Sequence, residues 1–322
     1  MSNQYKTKLL GLIFSVVACF SCTSLTAQPH MIPTHKDIAY GPHPKNVLDL
    51  YLVESAQPTP VLVFIHGGAF SGGDKMKNVN RGLFKQCLDN KISVVSINYR
   101  LSADKDYQYK YSKKTPVPPA FENAALAVQF IRHHADKYNI DKKRLAISGG
   151  SAGGGLTLWL AFSDDQANPK DKNPIRHEST KPLCVIPLAA QTTYDQEYIT
   201  REMNYNGYNI RWINRLFQAT TKQLKSSETK QMRQNVSAID LVDATDKVSV
   251  FMAGGGESKV TPGMPQTKFV HHAIFYHELE KKLKEFKVPY TLVLNSEYKS
   301  KKRSGNMLTD AAQFLKQAFE MD

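Results

Sequence analysis

The residues best suited to chemistry are Gly149-Gly150-Ser151-Ala152-Gly153, which fit the pattern G-x-S-x-G. In that pattern a serine sits on a tight turn between a strand and a helix. Bulky neighbours would clash there, and the hydroxyl projects from the end of the sheet. The flanks agree with this reading. Apolar Leu145-Ala146-Ile147 leads in, and the apolar stretch Leu156 to Leu160 leads out as a helix. The unpaired N–H groups and positive dipole end of that helix face the serine and favour negative charge beside it.

The elements that must hold this serine follow from hydrophobic patterning. Residues 61–65 are a continuous apolar run, as expected of a strand covered on both faces of a parallel sheet. They end in His66-Gly67-Gly68-Ala69-Phe70-Ser71-Gly72-Gly73. Residues 37–40 and 47–53 predict short strands around a Gly41-Pro42-His43-Pro44 turn, and 92–98, 183–188, 248–252 and 290–294 predict further strands. Helices are predicted over 80–90, 120–138, 263–286 and 307–319; in the second, Phe121, Ala124, Ala125, Val128 and Ile131 recur at helical spacing. Strands alternating with helices give an α/β class with a mostly parallel sheet and helices on both faces. Residues 191–246 interrupt the alternation and are rich in Tyr and Asn, with Trp212. Ligands bind at the carboxyl ends of such strands, so this insertion is a candidate cap whose aromatic rings would pack or stack on a ligand.

Lys6 and Lys8 precede an apolar run over 9–20 and the small residues Ser21 to Ala27, the layout of a secretory leader too short to span a membrane. Cleavage is expected after Ala27, giving a domain over 28–322 in a secreted or periplasmic protein. Val16-Val17-Ala18-Cys19 offers the rival of a lipid anchor on Cys19, the one route expected to a membrane. The chain of 322 residues carries a net charge of +13, or +11 without Lys6 and Lys8, much of it in late lysine-rich segments. No nucleic-acid-binding motif accompanies that charge, so no nucleic-acid partner is expected. Cys87 and Cys184 sit among apolar neighbours and read as buried thiols. No Cys/His/Asp spacing suggests zinc, and neither a metal nor another cofactor is expected.

His66-Gly67-Gly68-Ala69-Phe70, the Asn98-Tyr99-Arg100-Leu101 strand end and the Ser151 motif resemble the esterase/lipase branch of the α/β-hydrolase superfamily, the carboxylesterase-like proteins with an HGG-type oxyanion loop. The resemblance covers about residues 37–319. It implies an α/β-hydrolase fold, Ser151 as nucleophile, and an oxyanion hole from the N–H groups of Gly68, Ala69 and Ala152. It further implies a carboxylic ester as substrate; the secretory leader and the Tyr-rich insertion, rather than the resemblance, point to an acyl group on a glycan or phenol as the expected small-molecule or glycan partner.

The pattern departs from that family where the base and acid belong. The family takes its histidine from the loop after the last strand, yet no histidine follows His277. It takes its acid from the loop after the strand at 248–252, where the only carboxylate is Glu257. One explanation is exchange: His272 or His271 as base, ranked in that order, with Glu257 or Glu297 as the acid, since such constellations are defined by geometry rather than chain order. The other is a degenerate hydrolase that keeps the pocket and binds a carbohydrate or acyl ligand without efficient turnover. His66, beside the oxyanion loop, suits a structural hydrogen bond better than proton transfer.

Overall fold

Each apolar run bounded by turn residues becomes a strand in the computed structural model, which describes residues 31–76, 81–206, 211–224, 226–256 and 259–321. The expected leader, its cleavage point and Cys19 lie outside the described residues. The strands are β1 His35–Ala39, β2 Val47–Tyr51, β3 Thr59–Ile65, β4 Ser93–Ile97, β5 Ile140–Gly150, β6 Cys184–Leu188, β7 Ser249–Ala253 and β8 Tyr290–Val293. They form one sheet in the order β1-β2-β4-β3-β5-β6-β7-β8. β2 runs antiparallel to β1 and β4; every other pairing is parallel.

β3 and β4 are buried at every position, which is why they read as unbroken apolar runs rather than alternating ones. Successive side chains still point to opposite faces. Val61, Val63 and Ile65 enter the core built with helices α2 (Pro119–His133) and α3 (Ala152–Phe162), whereas Phe64 meets Phe84 of helix α1 (Arg81–Asp89) edge-on at 5.3 Å. β7 repeats the division: Val250 and Met252 join the first core, and Phe251 meets Phe314 of the last helix, Met307–Ala318, at 5.4 Å. Both faces are thus covered, as the α/β reading requires. Cys87 and Cys184 are free and buried. Among the described residues no helix is long and apolar enough to cross a membrane.

Between β6 and β7 the chain forms short helices, α4 Gln196–Glu202, α5 Arg211–Phe217, α6 Thr221–Leu224, α7 Lys230–Gln234 and α8 Ala238–Leu241. Most aromatic rings of this stretch pack internally. Tyr194 is buried, Tyr205 stacks on Phe269 at 3.7 Å, and Tyr198 donates to Glu278. Trp212 differs, because it lines a cavity. Tyr208 and Asn209 lie outside the described residues.

One predicted element is corrected. The helical pattern over 263–286 is not one helix but two, α9 Gln266–Phe269 and α10 Ile274–Phe286. The interruption is long-range. Gly256, beyond β7, donates from its N–H to the His271 carbonyl at 3.2 Å and accepts from the Ala273 N–H at 2.9 Å, so these groups pair across chain segments rather than along a helix. Two later elements complete the fold, α11 Asn295–Lys299 and α12 Met307–Ala318; the former occupies what reads in sequence as a loop.

Candidate active site

β5 delivers Ser151 directly into α3 with φ 53° and ψ −116°, a left-handed backbone that costs a non-glycine residue about 1–3 kcal/mol and persists only where the surroundings enforce it. The enforcement is close packing. A Cβ on Gly153 would lie 2.1 Å from the Ile65 carbonyl oxygen of β3, and one on Gly149 would lie 2.4 Å from the Gly153 oxygen. Both flanking positions of the motif therefore exclude a side chain. The Ser151 N–H donates to the Leu188 carbonyl at 2.8 Å, tying the turn to the end of β6.

The segment after β3 meets this turn at equally short range. A Cβ on Gly67 would lie 2.7 Å from the Gly150 oxygen, so the two backbones touch. Gly68, Ala69 and Phe70 all have positive φ, and the Gly68 carbonyl accepts from the N–H groups of Ser71 and Gly72, each at 3.0 Å. Phe70 is fully buried, stacked between Phe121 and Trp212. Ala152 is the first residue of α3, so its N–H has no partner within the helix.

Lys75 and Asp49, not singled out in the sequence, brace this loop together with the Asn98-Tyr99 strand end. Lys75 is buried, and its Nζ lies 2.8 Å from both carboxylate oxygens of fully buried Asp49 and 2.7 Å from Asp37. The Tyr99 hydroxyl donates to the His66 carbonyl at 3.0 Å, and Asn98 accepts from the Lys75 N–H at 2.6 Å. A signal existed in the sequence: Asp49 is the lone charge in the apolar strand VLDLY. His66 stacks on Tyr99 with ring centroids 4.4 Å apart, and its Nδ1 lies 2.7 Å from the Gly67 oxygen. Burial pushes its imidazole below the ordinary histidine value.

Of the two expected histidines, the structure brings His271 to the serine. Its Nε2 lies 2.9 Å from Ser151 Oγ. The ranking of His272 ahead of His271 is thereby reversed: His272 is buried, and its Nδ1 accepts from the Ile274 N–H at 3.0 Å, at the start of α10. The break between α9 and α10 supplies the reason, since pairing with Gly256 fixes which neighbour turns toward β5. Gln191 donates to the Val270 carbonyl, and the Tyr276 hydroxyl of α10 donates to the Pro187 carbonyl at 2.8 Å, so both sides of the break are tied to the end of β6.

His271 is open to solvent on one side, but its ring forms part of the cavity wall. Desolvation by those neighbours pushes its imidazole below the ordinary value. The Thr267 backbone beside the ring acts in the opposite direction. Among the described residues no carboxylate oxygen lies within 4.0 Å of a His271 ring nitrogen. The expected pairing of an imidazole with Glu297 is not found. Glu297 accepts from the Leu294 N–H at 2.9 Å within its own helix turn and faces Arg303 at 3.4 Å. Glu257 lies outside the described residues.

Gly67, Gly68, Ala69, Ser151, Trp212, Val270 and His271 line one cavity of about 690 Å³, large enough for a sugar ester or an aryl ester. Elsewhere, His43, Asp104 and Asp106 bring ligand atoms within 4.8 Å of one another. His43 already pairs with Asp106 at 3.1 Å, and the Arg100 guanidinium sits 3.5 Å from the same carboxylate, which opposes a second cation there.

The BD-FAE family model matches residues 48–271, from β2 to the histidine at the serine. Lipase 2 of Moraxella sp. (strain TA144) is 25% identical over 164 residues, 45% of this chain and 35% of its own length. Carboxylic ester hydrolase LipN of Mycobacterium tuberculosis (strain ATCC 25618 / H37Rv) is 37% identical over 101 residues, 31% of this chain and 24% of its own. The chain thus spans about a third or less of the length of these curated relatives. Among solved structures, a truncated form of a carbohydrate esterase from gut microbiota has a TM-score of 0.68 at 16% identity, covering 91% of this chain and 99% of that one. An acetyl ester-xyloside bifunctional hydrolase from Caldicellulosiruptor lactoaceticus has a TM-score of 0.63 at 17% identity, covering 91% and 97%. At these identities the likeness concerns the fold, which is that of the α/β-hydrolases.

Proposed function

Since this chain belongs to the BD-FAE family, within the carboxylesterase-like α/β-hydrolases, we propose that it hydrolyses carboxylic esters with Ser151 as nucleophile and His271 as base. The observation that carries the reading is the 2.9 Å contact between His271 Nε2 and Ser151 Oγ at the strained turn. A neutral imidazole at that distance can take the hydroxyl proton as Oγ attacks the ester carbonyl. The carbonyl oxygen gains the negative charge, which the N–H groups of Gly68, Ala69 and Ala152 would accept, each donor being worth about 3–4 kcal/mol in such a site. His271 then returns the proton to the departing alkoxide, leaving an acyl-serine that water cleaves by the same steps in reverse.

A Thr267 backbone carbonyl beside the ring would favour the tautomer that keeps Nε2 basic, the task a carboxylate performs in other serine hydrolases. Glu257 is the remaining sequence candidate for that carboxylate. We take residues 191–246 as a cap on a hydrolase domain, because Trp212 from this stretch lines the same cavity as Ser151. The ester is proposed to be an acyl group on a glycan or phenol. The likeness to a carbohydrate esterase and to an acetyl ester-xyloside hydrolase supports a sugar ester, and export through the expected leader would put the protein where such polymers lie.

A fluorophosphonate probe tests the core of the proposal. Labelling should fall on Ser151, vanish in Ser151→Ala and drop steeply in His271→Ala. A folded wild-type protein that resists the probe would instead favour the binding-only reading.

A further inference from the structure

A second cavity, of about 430 Å³, adjoins the first and shares Ala69, Trp212 and Val270 with it. Its remaining walls are Arg211, Arg215, Gln266 and Thr267. The two arginines lie four residues apart on α5, hence on one face one turn apart. The opposite face of α5 is anchored by Ile213, Leu216 and Phe217, all buried in the core, so the arginines are held outward on a fixed support rather than a free loop. Arg215 is exposed and makes no ion pair among the described residues. Among the described residues neither cavity is lined by an aspartate or glutamate, so no carboxylate in their walls neutralises the Arg215 guanidinium.

We propose that Arg215, with Arg211, is a specificity determinant that reads a carboxylate on the substrate, so that the preferred ester carries an acid group beyond the scissile carbonyl. The proposal rests on the ester-hydrolase reading of Ser151 and deepens it. A guanidinium presents a planar fork of donors that matches a carboxylate in bidentate geometry, which a neutral sugar or alkyl group cannot exploit. Trp212 forms the wall common to both cavities. It gives the body of the substrate an apolar surface while its acid end reaches α5. Two sources share this chemistry: an acidic acyl group such as a dicarboxylic half-ester, and an acidic alcohol such as an acylated uronic acid.

Matched ester pairs test the idea and separate the sources. The acyl arm compares 4-nitrophenyl hemisuccinate with 4-nitrophenyl butyrate; the alcohol arm compares acetylated glucuronic acid with acetylated glucose. In at least one arm the acid member should be favoured by about tenfold in kcat/KM, the size expected of one charge-assisted hydrogen-bonded contact, and mostly through KM. Arg215→Ala should shrink that ratio towards one, Arg215→Lys should keep part of it, and added salt should erode it. Equal rates for both members in both arms, or a preference that survives Arg211→Ala/Arg215→Ala, would overturn the proposal and leave the ester-hydrolase reading intact. Hydrolysis of neither member would sink the ester-hydrolase reading instead. The acid site is then judged in Ser151→Ala by tryptophan fluorescence, where glucuronate should quench at concentrations that glucose does not match, and equal quenching would overturn it.

Discussion

The half of the site that carries Ser151 grows out of the buried middle of the sheet, whereas the half that carries His271 lies in a break between two helices beyond β7. On the serine side β3 and β5 lie in direct register, Ile65 opposite Gly149, and glycines let the backbones touch. Position there is set by steric exclusion, which tolerates almost no alternative sequence. On the histidine side a few backbone hydrogen bonds to Gly256 and one from Gln191 decide where the ring points. Those bonds constrain direction but not residue type. One half is therefore fixed by packing and the other by pairing.

The largest expected effects test the two halves against each other. Ser151→Ala should lower kcat by about 10⁶-fold, because without the hydroxyl only binding and the oxyanion hole remain. His271→Ala should cost at least about 10⁴-fold, while His272→Ala should stay within about tenfold, its ring being tied to the Ile274 N–H. Steady-state kinetics on one activated ester decides this. A greater loss on replacing His272 would mean that the break is seated differently in solution.

That contrast also explains what was legible in the sequence. The strands and the serine turn were, because continuous apolar runs and the G-x-S-x-G spacing are local consequences of burial and sterics. The choice of His271 over His272 was not. Both residues fit a helical pattern running on to Phe286, and that pattern is broken by Gly256, fifteen positions before His271 in the chain. The Lys75–Asp49 pair was missed for a similar reason, since the two residues are 26 positions apart and meet only when β2 and the glycine-rich loop after β3 are both in place.

Lys75→Met sharpens the comparison on the packed side. It leaves Asp49 buried without its cation, and breaking a buried pair costs about 3–5 kcal/mol. Urea denaturation should show that loss as a lower midpoint with an unchanged slope. A midpoint unmoved from wild type would mean that the glycine-rich loop after β3 is held without this pair.

The pH profile probes the paired side. His271 must be neutral to accept the proton, so kcat/KM should rise as pH increases through its ionisation and then level off. Burial holds that ionisation below the ordinary histidine value, so activity should persist to lower pH than an unperturbed histidine allows. An acid limb centred above the ordinary value would instead reveal a carboxylate beside the ring.

The smallest effect is expected at Glu297, and it is the most discriminating of the carboxylate variants. Were Glu297 the orienting acid, its removal would misplace the His271 proton and cost about 10⁴-fold in kcat. The structure gives its side chain other work: one oxygen accepts the Leu294 N–H at the start of α11, and the other faces Arg303 at 3.4 Å. Glu297→Ala should therefore remove a helix-terminus hydrogen bond worth about 1 kcal/mol and lower Tm by about 2–4 °C. The ion pair adds little, because both partners remain about a third exposed to water. Catalysis should change by less than about threefold, a bound that follows from the helix term if it acts on stability alone. Melting curves and kcat/KM measured on the same preparation separate the two roles. A small Tm shift with intact turnover leaves the Thr267 carbonyl, or Glu257, to orient the imidazole, whereas a collapse in kcat at unchanged Tm would return Glu297 to the site.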